Sequence, residues 1–129
     1  MIFHPNKNQE KPLSKKQVGE FAEQLAANYL TEHGYRLITR NFRGDGGEID
    51  IIAWNDKILC FVEVRARENA DFGDPLETIN RPKIARIAKA ARQFLEQFTE
   101  PWQEIRFDAV GILLHDLTQI CLIQGAFEI

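Results

Sequence analysis

Gly47-Glu48-Ile49-Asp50-Ile51-Ile52-Ala53-Trp54 and, after Asn55-Asp56-Lys57, Ile58-Leu59-Cys60-Phe61-Val62-Glu63-Val64-Arg65-Ala66-Arg67 decide the fold of this chain. Both runs are rich in β-branched and aromatic residues, and the polar residues between them read as a turn, so a hairpin is the simplest connection. Side chains alternate along a strand, which sets Glu48, Asp50 and Ile52 on one face and Ile49 and Ile51 on the other. On the second strand Phe61, Glu63 and Arg65 share a face, opposite Val62 and Val64. The apolar faces should match, because a one-residue slip would bury charge. With Asn55-Asp56 as the turn, Glu48 lies opposite Glu63 and Asp50 diagonal to it, roughly 7–8 Å away and within reach of a shared ion.

Upstream, Ser14 followed by Gln17 is a capping-box pattern opening a helix whose apolar series is Val18, Phe21, Ala22, Leu25 and Tyr29. Gly34 supplies its left-handed stop. Tyr35 to Phe42 reads as a strand, followed by the loop Arg43-Gly44-Asp45-Gly46-Gly47, whose residues tolerate unusual backbone angles. Downstream, Phe72-Gly73-Asp74-Pro75 leads to a second helix with Pro82 at its start and Ile84, Ile87, Ala88, Ala91, Phe94, Leu95 and Phe98 as its buried stripe. Glu104 to Leu114 and Gln119 to Phe127 are two closing strands joined at His115-Asp116. The order α-β-β-β-α-β-β predicts a single α/β domain over residues 14–129, a mixed central sheet flanked by helices. Residues 1–13, polar and carrying Pro5 and Pro12, read as a flexible lead-in.

A chain of 129 residues, 44% hydrophobic and 27% charged, can bury a core without staples. No run approaches the ~20 apolar residues of a membrane span, and the start lacks the pattern of a secretory signal, so a cytoplasmic protein without membrane partners is expected. Cys60 and Cys121 each sit in an apolar run without a second soft ligand at metal spacing. Both read as buried free thiols, which argues against zinc. The net charge is −3, but it is unevenly spread. Arg36, Arg40 and Arg43 form one acid-free run, and Arg81, Lys83, Arg86, Lys89 and Arg92 another. Such runs are either solvated faces or a nucleic-acid footprint.

Three carboxylates on one strand pair repel each other, and a charge near a core costs several kcal/mol or shifts its pKa. A divalent ion would relieve the strain, and hard oxygen ligands select Mg²⁺ or Mn²⁺. The residues alone also allow a solvated strand face on which Arg65 and Arg67 pair the acids.

The runs Gly47-Glu48-Ile49-Asp50 and Phe61-Val62-Glu63-Val64-Arg65 resemble the PD-(D/E)XK nuclease superfamily, particularly archaeal Holliday-junction resolvases. Together with Val18-Gly19-Glu20, Phe72-Gly73-Asp74-Pro75, the Lys83 helix and Arg106-Phe107-Asp108, they more closely resemble the YraN-like bacterial family. The resemblance implies a restriction-endonuclease-like fold and a catalytic set of Glu20, Glu48, Asp50, Glu63 and Arg65. Asp50 and Glu63 would bind Mg²⁺ or Mn²⁺, with the Val64 carbonyl as a further ligand, and Glu20 would match the helix acid of resolvase-like members. On a helical wheel Glu20 lies at the margin of the apolar stripe. Arg43, Arg81, Lys83, Arg86 and Lys89 would hold DNA, branched forms included, and a homodimer is the assembly such resolvases adopt. Arg65 departs from the superfamily's Lys: a guanidinium stays charged and cannot act as a base, though it can orient water or stabilise phosphate charge. Three functions stay open: a metal-dependent DNA endonuclease, a catalytically inactive nucleic-acid-binding or adapter protein, and a scaffold presenting Phe72 and Trp102 to protein partners.

Overall fold

The computed structural model describes residues 13–68, 73–115 and 117–129. Residues 1–12 of the expected lead-in, Phe72 and Asp116 lie outside them. The elements are α1 (Lys15–Glu32), β1 (Tyr35–Gly44), β2 (Gly47–Asn55), β3 (Ile58–Arg67), a 3-10 helix (Pro75–Thr78), α2 (Arg81–Gln97), β4 (Glu104–Leu113) and β5 (Gln119–Phe127). They form the expected single α/β domain in the expected order. The five strands lie in sequence order, with β3 and β4 parallel and every other pair antiparallel. A parallel pair needs a crossover, and the segment through α2 supplies it.

Each face of the sheet is closed by one helix. The Ser14 hydroxyl accepts from the Gln17 N–H and the Gln17 side chain accepts from the Ser14 N–H, so the capping box starts α1 as read. The stripe that α1 buries is different: Ala22, Ala26, Ala27 and Leu30 pack on Ile51, Ala53, Cys60, Val62, Val110 and Ile112, while Phe21 is 50% exposed. Small side chains let the helix axis approach the sheet closely, and the bulky Phe21 is left outside that contact. Asn80 caps α2 through the Lys83 N–H. Ile87, Ala90, Ala91 and Phe94 pack on Ile52, Trp54, Leu59, Phe61 and Phe107, close to the expected stripe. Each of these aromatic side chains removes a large apolar area from water, the main source of stability here.

The β2–β3 turn is Asp56-Lys57, one residue later than read from the sequence, because Asn55 pairs with Ile58. Asp56 takes the positive φ at its first position, which Asp tolerates. Extending the register by one residue sets Asp50, not Glu48, opposite Glu63. The glycine loop is also shorter than expected, since β1 runs to Gly44 and β2 starts at Gly47. Glycine is needed at Gly47, where a Cβ would collide with the Arg86 carbonyl, whereas one at Gly44 would meet only the movable end of the Gln93 side chain. The Asp45 N–H donates to that same Gln93 side chain at 2.7 Å. Cys60 is buried as expected, but Cys121 is exposed. It lies on the edge strand β5 opposite Gly111, on the face away from Ile120 and Leu122, which pack under α1.

No helix among the described residues is long and apolar enough to cross a membrane.

Candidate functional site

The site is made by a split in the sheet. The β1–β2 ladder continues to Gly44↔Gly47 and the β3–β4 ladder to Arg67↔Leu113, but β2 and β3 last pair at Ile51↔Val62. Residues two apart on an ideal strand share a face. Here Ile49 packs under α2 and Ile51 under α1, so β2 turns over between them, at Asp50. The shared face expected for Ile49 and Ile51 is therefore lost. On β1, Asn41 stands across from this point with a φ of 54°. Past the last rung, the Val64 N–H donates to Asp50 Oδ2 at 2.8 Å instead of to a backbone carbonyl of β2.

Standing in this cleft, Asp50 lines a cavity on each side. Under α1 it meets Val18, Gly19, Ala22, Glu23, Val64 and Arg65 around about 610 Å³. Under α2 it meets Gly47, Glu48, Glu63, Lys83, Arg86 and Ile87 around about 240 Å³. Glu63 is only 4% exposed, and burial first, then the neighbouring Asp50 charge, push its carboxyl up to about 8. Lys83 Nζ at 3.4 Å and Arg65 Nη1 at 3.9 Å from Glu63 Oε1 offset this only in part. The Arg65 Nε–H is committed to Thr78 Oγ1 at 2.6 Å, and Thr78 in turn donates to the Pro75 carbonyl, so the short 3-10 helix holds the guanidinium in place.

Of the sequence-predicted site residues, Asp50, Glu63, Glu48 and Arg65 come together, with Glu48 exposed at the rim. Glu20 is exposed on α1, one turn before the acid that the sequence reading passed over. That acid is Glu23. Its side chain is 13% exposed, its Oε1 lies 3.6 Å from Arg40 Nε, and Oε1 is buried without a hydrogen-bond partner among the described residues. Burial, and secondarily the Asp50 charge, hold its carboxyl above the usual range. The signal was in the sequence: Glu23 precedes Ala26 and Ala27 by three and four residues, on the face those alanines bury. Arg43, Arg81, Arg86 and Lys89 are exposed, whereas Lys83 turns into the acid pocket.

Among the described residues no three His, Cys, Asp or Glu side chains gather as a ready-made metal cage. The donor set is instead two opposed carboxylates, Asp50 and Glu63, with Glu23, ion-paired to Arg40, on the α1 side. This suits a small hard cation, since Mg²⁺ commonly takes one or two carboxylates and keeps its water.

The family model for "Uncharacterised protein family UPF0102" matches residues 22–112, a span that holds Glu23, Asp50, Glu63, Arg65 and Lys83. A UPF0102 protein of Caldicellulosiruptor bescii is 42% identical over 119 residues, covering 89% of this chain and 100% of that protein. One from Chlorobium phaeobacteroides strain BS1 is 41% identical over 101 residues, 78% of this chain and 80% of the relative. Another, from Clostridium kluyveri, is 38% identical over 117 residues, 88% and 96% of the two chains. With matches of this length and identity along the site-bearing strands, the chain belongs to family UPF0102.

Proposed function

We propose that this protein is a metal-dependent nuclease of the PD-(D/E)XK superfamily, hydrolysing phosphodiester bonds in DNA. The observation that carries the reading is the split at Asp50, which opposes two carboxylates in a cleft bordered by exposed cations. A bound Mg²⁺ or Mn²⁺ supplies Lewis acidity toward the phosphate and lowers the pKa of a bound water. Asp50 and Glu63 would hold it. The Val64 N–H fixes the orientation of Asp50, so this ligand is set before an ion arrives. Glu23, which lines the α1 cavity beside Arg40, suits a role in accepting a hydrogen bond from water there. Arg65, tethered by Thr78, offers fixed positive charge to the phosphate oxygens. Arg43, Arg86 and Lys89, all exposed, would take backbone phosphates, contacts that position a duplex without reading its sequence.

A second reading is favoured by the tether on Arg65. Its side chain is held at Nε and already faces Glu63, so it serves as a structural brace as readily as a catalytic group. In that reading the protein binds nucleic acid without turnover. One assay decides between them: cleavage of linear, flapped and four-way DNA with Mg²⁺ or Mn²⁺, beside Asp50→Ala. Metal-dependent cleavage by wild type that Asp50→Ala abolishes supports the enzyme, with branched DNA preferred. Binding without cleavage by either protein supports the adapter.

A further inference from the structure

Within the acid-free run of α2 one residue is set apart by its position. Arg81, Arg86 and Lys89 are exposed, while Lys83 is half-buried with its ammonium 3.4 Å from Glu63 Oε1. Its place is fixed by the start of the helix. Asn80 accepts the Lys83 N–H at 3.0 Å, and Pro82 presets the first turn, which faces the cleft where β2 leaves β3. The other nearby cation is less free to serve Glu63, since Arg65 Nε is held by Thr78 and its Nη1 stands farther off, at 3.9 Å. Lys83 therefore supplies the nearest positive charge to a carboxylate buried against a second carboxylate. It does so from the side of the 240 Å³ cavity, which Asp50, Glu48 and Arg86 also line.

We propose that Lys83 is the resident counter-ion of the carboxylate pocket, occupying Glu63 until a divalent ion displaces it, and not a clamp on the DNA backbone. This rests on the reading of Asp50 and Glu63 as ligands. Lys is suited to such a part: its ammonium is a compact charge on a four-carbon stem with rotatable donors, so it can swing away as an ion enters. A guanidinium pinned at Nε cannot.

Calorimetric titration of the full chain with Mn²⁺, in the absence of DNA, tests this without turnover. Removing a competing cation should tighten Mn²⁺ binding by Lys83→Gln about 3- to 10-fold over wild type. Lys83→Arg, which keeps the charge, should stay within about 2-fold of wild type. Affinity for DNA, and its dependence on salt, should be the same in Lys83→Gln as in wild type, and a thermal melt establishes that the variant is folded. Unchanged or weaker Mn²⁺ binding by folded Lys83→Gln overturns the proposal. So does a salt slope reduced by about one, the signature of a lost phosphate contact, and so does a wild type that binds no Mn²⁺. Failure of the nuclease reading shows separately, as absence of cleavage by a wild type that binds Mn²⁺; the Mn²⁺ comparison then still decides the part played by Lys83.

Discussion

Two carboxylates are buried in this sheet, on the neighbouring strands β3 and β4, under opposite conditions. Asp108 has no exposed surface, yet four donors serve it: the Tyr35 hydroxyl at 2.7 Å, Arg106 Nε at 2.7 Å, Arg106 Nη2 at 2.9 Å and the Gly125 N–H at 2.9 Å. The same guanidinium also donates to the Tyr35 hydroxyl, Asn55 Oδ1 and Cys60 Sγ, so the network joins all five strands when Gln124 is included. Arg106 is held protonated above its ordinary range, first by its hydrogen bond to Asp108. Burial pushes the Tyr35 hydroxyl and the Cys60 thiol each up to about 12, so both stay neutral. Glu63 is nearly as buried but faces another carboxylate and two cations at 3.4 Å and 3.9 Å. The first arrangement is complete as a piece of folding. The second costs stability that folding alone does not explain, and such a cost concentrates at functional sites.

The largest effect should come from breaking the complete network. Arg106→Met leaves Asp108 buried without its counter-ion and should cost about 3–5 kcal/mol, a fall in Tm of about 10–20 °C. A melt that moves by only a few degrees would place the two regions in the same class.

Next in size is the other side of the comparison. If the enzyme reading holds, Arg65→Ala should slow metal-dependent cleavage about 10²-fold, about 3 kcal/mol, with little change in DNA affinity. Arg65→Lys should keep or raise the rate. If Arg65 is a brace, the alanine variant instead lowers Tm and leaves any DNA-dependent signal in proportion to folded protein.

At Glu63 the expected change is smaller and opposite in sign to that at Asp108. Its folded pKa of about 8 lies above the ordinary 4.5. Between those values the native protein keeps a proton that the unfolded chain has lost. Its contribution to stability is therefore full below about 4.5, falls as pH rises, and is gone above about 8. Glu63→Gln should flatten that decline and, at pH 8, stabilise by about 1–2 kcal/mol. Melts of both proteins from pH 5 to pH 8.5 measure it; parallel curves would remove the strain from Glu63.

The smallest effect belongs to the surface. Arg86→Gln with Lys89→Gln should reduce the salt slope of DNA binding by up to about two, and adding Lys83→Gln should not reduce it further. A third step of equal size would return Lys83 to the backbone contacts.

The order and type of every strand and of both long helices could be read from the sequence, because periodicity, capping residues and turn residues are local signals. Asp50, Glu63 and Arg65 were legible as charged residues inside apolar strand runs, although the face alternation that grouped them fails at Asp50. What failed depends on contact between distant segments. Large residues suggested a stripe through Phe21, but close approach to the sheet selected alanines, and with them Glu23 over Glu20 as the acid turned inward. Nothing local marks Asp50 as the point where β2 leaves β3, because β1 and α2 impose it. Cys121 looked buried because its strand is apolar, but an edge strand covered on one side exposes alternate residues.

The close approach of Gly47 to the Arg86 carbonyl leaves no room even for a Cβ between the acid-bearing hairpin and the basic helix. If DNA binds as proposed, a hairpin and helix packed this closely would leave most of the bending to the nucleic acid. Smooth duplex resists this, with a persistence length of about 50 nm, whereas the joint of a flap or a four-way junction is a ready hinge. Compliance at the joint, more than any sequence read in a groove, would then set which DNA this protein can hold.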